Sequence, residues 1–257
     1  TAGVIAGINV GSVSGGMLAA RIGMRPTFFV QAALLALAAV AALALVRNRR
    51  RPAANGRDSG APAPWTFLRA RAVWSFFVFI FLPVTACGLF LGFLFPLFAE
   101  AQGCTINEIG LAFMLFGAAS VYLGPSVTRL TTALFGARLA MPIGALIMTG
   151  ALLLFAAFQS LAAAYATIIL FGLTESMIFN QGLSFYSSLP SVRRFGEDKA
   201  MGVYNVFESG GEALGPMAFG LAASLSLGLG IAAIAAALGL GAAIFWALGP
   251  RAGGGRP

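Results

Sequence analysis

Glu175, Glu208 and Glu212 fall inside long apolar stretches of this 257-residue chain. A carboxylate there is costly, so each marks a functional position by default. Glu175 lies roughly 14 residues into its stretch, and Glu208 and Glu212 lie roughly 12 and 18 Å into theirs at 1.5 Å per residue. Asn205, Glu208 and Glu212 recur at i, i+3 and i+7, which lines them along one helix face. Asn180 and Gln181 add polar groups beyond Glu175. No Lys or Arg sits in the middle of any apolar stretch. Four roles are open to the group. A carboxyl taken out of water favours its neutral form, so it could carry a coupling proton. It could bind a cationic substrate, pair with a base on helices upstream of Thr1, or hydrogen-bond to backbone and Ser/Thr and fix helix packing. Glu212 is the first candidate, followed by Glu208 and then Glu175.

Much other chemistry is excluded. The chain has no His, which removes His-based metal sites and catalytic triads. Cys87 and Cys104 would lie ~25 Å apart if the residues between them are mostly helical, too far for a disulfide. Both read as small apolar side chains. The chain has no Gly-x-x-x-x-Gly-Lys-Ser/Thr loop, so ATP is not expected to drive it. It has no nucleophile elbow either, which leaves an intramembrane enzyme without support. No enzyme activity, cofactor or metal is expected.

The elements that must position these residues are membrane helices. The chain is 59% hydrophobic and only 9% charged, where a soluble chain carries about a quarter charged residues. A bilayer core needs roughly 20 apolar residues of helix, whose backbone groups satisfy one another. Eight stretches qualify: Thr1–Ala20, Thr27–Val46, Ala72–Phe98, Ile106–Val127, Ala137–Phe158, Ala162–Ser187, Ala200–Leu225 and Leu227–Leu248. The fold class is therefore all-α integral membrane. A tight turn at Ser224–Gly228 separates the last two, because one helix through both would be more than twice the bilayer thickness.

Basic residues alternate between connections. Seven Arg lie from Arg47 to Arg71, Arg129 and Arg138 flank the fourth connection, and Arg193, Arg194 and Lys199 lie in the sixth. Arg251 and Arg256 follow the last span, while the connections around Gln102, Gln159 and Ser226 hold none. This is the positive-inside pattern, with Arg21 and Arg25 as its exception. The net charge of +8 is thus a topology signal, not a nucleic-acid surface. The expected setting is the inner or plasma membrane, with lipid as partner.

Four regions follow: 1–46 with two spans, a basic cytoplasmic linker at 47–71, six spans over 72–250, and a flexible tail at 251–257. The linker is too polar to fold alone. Trp65, Arg69, Arg71 and Trp74 at its end suit the membrane interface. Thr1 opens within an apolar stretch with no signal-peptide features, so further residues are expected upstream. Thr105 and Glu108 form a capping-box pattern. Gly88 and Gly92 read as a helix-packing pair. Pro83, Pro96 and Pro216 are expected to bend their helices. Arg193–Lys199 reads as a solvated turn, or as a gate made and broken by salt bridges.

Gly11-Ser12-Val13-Ser14-Gly15-Gly16 and Gly215-Pro216-Met217-Ala218-Phe219-Gly220 share glycines at an offset of 204, with Pro216 matching Ser12. The glycines Gly11, Gly15, Gly16, Gly215 and Gly220 would serve close helix packing. Six spans separate the two runs, the sign of a parallel duplication in secondary transporters. The layout resembles helices five to twelve of a twelve-helix major facilitator superfamily transporter, over nearly the whole chain. Gly11–Gly16 resembles the Gly-Pro-x-x-Gly-Gly run of the family's antiporters, with Ser12 in place of Pro. Residues Gly124–Arg138 occupy the place of a Gly-x-x-x-Asp-Arg-x-Gly-Arg signature, of which Gly136 and Arg138 remain. The resemblance implies a secondary active transporter of a small solute working by alternating access, with proton-coupled efflux as one form. The rival reading is a non-transporting membrane sensor or anchor for a signalling module.

Overall fold

The computed structural model describes residues 11, 14, 15, 18, 21–45 and 64–249. Most of the first expected span lies outside the described residues, as do Ser12, Gly16, the linker from 46 to 63 and the tail from 250 onward. Among the described residues the structure is all helix. The elements are α1 (Met24–Leu45), α2 (Pro64–Leu68), α3 (Arg71–Ala101), α4 (Ile106–Phe135), α5 (Ala137–Phe158), α6 (Leu161–Ser188), α7 (Pro190–Phe195), α8 (Glu197–Leu225) and α9 (Leu227–Leu248). Helices α3, α4, α5, α6 and α9 are long and apolar enough to cross a bilayer. Helix α8 is as long, but it carries the polar Asn205, Glu208 and Glu212.

The expected turn between the last two spans is a single residue. Ser226 is extended (φ −170°, ψ 122°) between α8 and α9. The Thr105–Glu108 capping box is formed in both directions. Two expected connections differ. Helix α4 continues past Val127 to Phe135, its Thr128 and Thr131 hydroxyls donating back to the carbonyls of Gly124 and Val127 at 2.8 Å. Only Gly136, at φ 82°, then separates α4 from α5, a conformation that glycine adopts without steric cost. The charged run Arg193–Lys199 is not one turn either: Arg193 and Arg194 close α7, Gly196 breaks the chain at φ 98°, and Glu197 starts α8.

Prolines shape α3 and α4. Phe77–Phe81, Phe90–Leu94 and Ala119–Leu123 are π turns, and each ends two residues before a proline: Pro83, Pro96 and Pro125. Proline has no N–H, and its ring crowds the carbonyl four residues back. Widening the helix by one residue relieves that conflict. Pro142 and Pro216 instead lie within continuous α-helix.

Helix α3 packs along α8 and α9, α5 along α6 and α9, and α4 along α6. Lipid gives apolar helices no net drive to associate, so close packing must hold them. Rings supply bulk: Phe76, Phe77, Phe81, Phe90, Phe155, Tyr186 and Phe219 are all buried. Small residues supply proximity. A Cβ at Gly172 of α6 would come within 2.9 Å of the Ala119 Cβ of α4. A Cβ at Gly241 of α9 would collide with the Phe79 carbonyl, the one that Pro83 deprives of its donor. Tyrosines tie opposite ends: Tyr165 donates to the Glu108 carbonyl (3.0 Å) and Tyr186 to the Ala200 carbonyl (2.8 Å).

Helix α2 docks on one end of this bundle. Phe67 is only 2% exposed and stacks on Phe195 of α7 at 4.3 Å. Trp65 on the same short helix is 76% exposed, and Trp74 and the two Arg between them also face outward. By contrast α1 exposes Phe28, Phe29, Leu35 and Leu37.

Candidate functional site

Four polar side chains stand at the middle of four different helices. Thr85 is the fifteenth of 31 residues in α3, and Ser120 the fifteenth of 30 in α4. Glu175 is the fifteenth of 28 in α6, and Glu212 the sixteenth of 29 in α8. At 1.5 Å per residue these helices are about 42–46 Å long, close to the ~40–45 Å of a bilayer with its headgroups, so a helix of this length that crosses it has its midpoint near the centre. That depth is where transporter sites are found.

A cavity of about 160 Å³ opens among these helices. Glu175 and Glu212 line it together with Thr85 and Gly88 of α3, and the rings of Phe116, Phe171 and Phe179, with Val84, Leu89 and Met148, complete the wall. Ser120 Oγ donates to Glu175 Oε2 at 2.7 Å and so fixes that carboxylate across the α4–α6 contact. Ser120 belongs to the π turn that precedes Pro125, a distortion that often accompanies functional sites. Thr85 Oγ1 donates back to the carbonyls of Phe81 and Leu82, each at 3.0 Å. Glu175 is half-buried, whereas Glu212 is exposed at the rim. Pro216, four residues on, cannot donate to the Glu212 carbonyl.

The structure thus brings Glu175 and Glu212 together and leaves the other candidates apart. Glu208 is half-buried one turn earlier on α8, and Asn205 is exposed. Asn180 is exposed on α6, while Gln181 Nε2 donates to Thr132 Oγ1 at 3.4 Å. Gly215 presses on α3, where a Cβ would lie 2.7 Å from the Ala86 carbonyl, but at Gly220 no atom of another described element lies within 4 Å of a Cβ. Among the described residues no atom of another element lies within 4 Å of a Cβ built at Gly88, which lines the cavity.

Sequence reasoning missed Ser120, Thr85 and the three phenylalanines. The first two had a faint signal as single hydroxyls amid apolar residues at mid-span. The rings had none, since nothing in the sequence separates a wall ring from a core ring. Cys87 is buried in α3 and Cys104 lies between α3 and α4, both as free thiols.

Residues 1–216 match the family model described as Major Facilitator Superfamily. No curated protein and no solved structure matches the chain.

Proposed function

Because this chain belongs to the Major Facilitator Superfamily, a family of membrane transporters and not of enzymes, we propose that it is a secondary active transporter that moves a small solute by alternating access. It is an integral, multi-pass membrane protein. The reading places the solute in the mid-helix cavity and couples its movement to protons through Glu175 and Glu212. The observation that carries it is the convergence of two carboxylates, from α6 and α8, on one cavity. A carboxylate at that depth is expensive, and a packing role would not require two of them to face open volume. The resemblance of Gly11–Gly16 to the antiporter motif favours exchange, with efflux across the inner or plasma membrane as its direction. Glu208 and Asn205, on the α8 turns that lead to Glu212, fit a polar path toward the site.

The test is proton flux in proteoliposomes that hold the intact protein and a pH-sensitive dye. Solute gradients should drive a proton signal that Glu175→Gln and Glu212→Gln each abolish. Unchanged coupling in both variants would sink the proposal.

A further inference from the structure

The cavity wall gives the class of solute. Its polar residues are Thr85, Glu175 and Glu212, and none of the lining residues described is cationic. Thr85 spends its hydroxyl proton on its own helix carbonyls, and Ser120 spends its proton on Glu175. In their ionised, proton-released form the two carboxylates only accept hydrogen bonds. In that state the described lining residues offer acceptors and aromatic rings, and no donor. A sugar or polyol needs donors as well as acceptors, and an anion would meet like charge. A cation meets two carboxylates and aromatic rings, whose π-systems attract positive charge.

We propose that the cavity binds a small organic monocation, its ammonium head between Glu175 and Glu212 and its alkyl groups against Phe116, Phe171 and Phe179. The proposal rests on the reading of this cavity as the transport site and adds the chemistry of the solute. Size narrows the class further. Pockets for drug-sized ligands run from roughly 300 to 1,000 Å³. At about 160 Å³ this cavity suits an alkylammonium head and not a polycyclic drug. Glu175 is the main anchor because it is half-buried and held by Ser120, whereas Glu212, exposed at the rim, is screened by water.

The experiment compares choline with its uncharged carbon isostere, in which a tert-butyl group replaces the trimethylammonium head. Binding of radiolabelled choline to the intact protein in nanodiscs is measured, with each compound as competitor. Choline should bind saturably, and the isostere should compete at least about tenfold more weakly. Glu175→Gln should weaken choline by about tenfold, and Ser120→Ala by less. The comparison of the two ligands uses the unaltered protein and does not depend on a variant folding. Absent choline binding, equal competition by the isostere, or unaltered binding in a folded Glu175→Gln protein overturns the inference. A protein that couples protons yet fails this comparison loses only the solute class. One that binds choline as expected but moves no protons loses only the coupling.

Discussion

From Val73 to Phe81, α3 fills its surroundings with rings, and from Val84 to Gly88 it carries small side chains, one side of which lines the cavity. In the first stretch Phe76 lies within 6 Å of Phe77, Phe81, Phe185 and Tyr186 by ring centroid. In the second, Thr85 is pressed by Gly211 of α8, and Val84, Thr85 and Gly88 line the cavity. One helix thus carries both the contacts that hold the bundle and the space that a solute needs. The difference is one of side-chain volume. Bulk holds helices where no hydrophobic drive exists, and small residues give close approach on one side and a void on the other.

Substitution in the ring half should break stability first. Phe76→Ala removes a fully buried ring from a packed cluster, a change that costs about 3 kcal/mol or more in protein cores. Unfolding of the purified protein in mixed micelles should show that loss, and any fall in transport should follow the folded fraction. A normal midpoint with lost transport would mean that the aromatic end acts in function and not in support.

The open half should behave in the reverse way. Gly88→Val adds volume where nothing lies within 4 Å of the new Cβ, so the unfolding midpoint should hold. Choline binding and coupled flux should fall by about tenfold, because a branched side chain occupies a large part of a 160 Å³ space. Wild-type flux in this variant would remove the cavity from the transport path.

These two halves were unequally legible in the sequence. The apolar stretches, the break at Ser226 and the Thr105–Glu108 cap follow from length and local hydrogen bonding, which a sequence displays directly. The carboxylates stood out because their cost in lipid does not depend on their neighbours. Which carboxylates share a cavity does depend on neighbours. Asn205, Glu208 and Glu212 occupy one face of α8, yet only Glu212 lines the cavity. It lies between Gly211 and Gly215, which bring α8 against Thr85, Ala86 and Leu89. Gly88 belongs to a Gly-x-x-x-Gly pattern that reads as packing, but it lines the cavity, and no atom of another described element lies within 4 Å of a Cβ there. The pairing of Ser120 with Glu175 was hidden for another reason. A helical projection assumes 3.6 residues per turn, and the π turn before Pro125 shifts the register of α4 at that residue.

That register shift supplies the smallest and most specific test. Pro125→Ala returns an N–H to the backbone, so the Val121 carbonyl regains its donor and the widened turn loses its cause. Ser120 should then sit less well against Glu175. The expected loss is a fraction of that in Ser120→Ala, which itself removes one hydrogen bond to a charged group, about 1.5–3 kcal/mol in buried settings and less where water reaches. The decisive comparison is the double variant. If Pro125 acts through Ser120, then Ser120→Ala/Pro125→Ala binds choline no more weakly than Ser120→Ala alone, since one hydrogen bond cannot be lost twice. Additive losses would show that Pro125 shapes the cavity by another route, such as the packing of Phe116 one turn earlier. The ring half of α3 provides the control. Its own π turn at Phe77–Phe81 precedes Pro83, but Ile80 and Phe81 there are buried in the core. Pro83→Ala should therefore act on the unfolding midpoint and leave the choline preference intact.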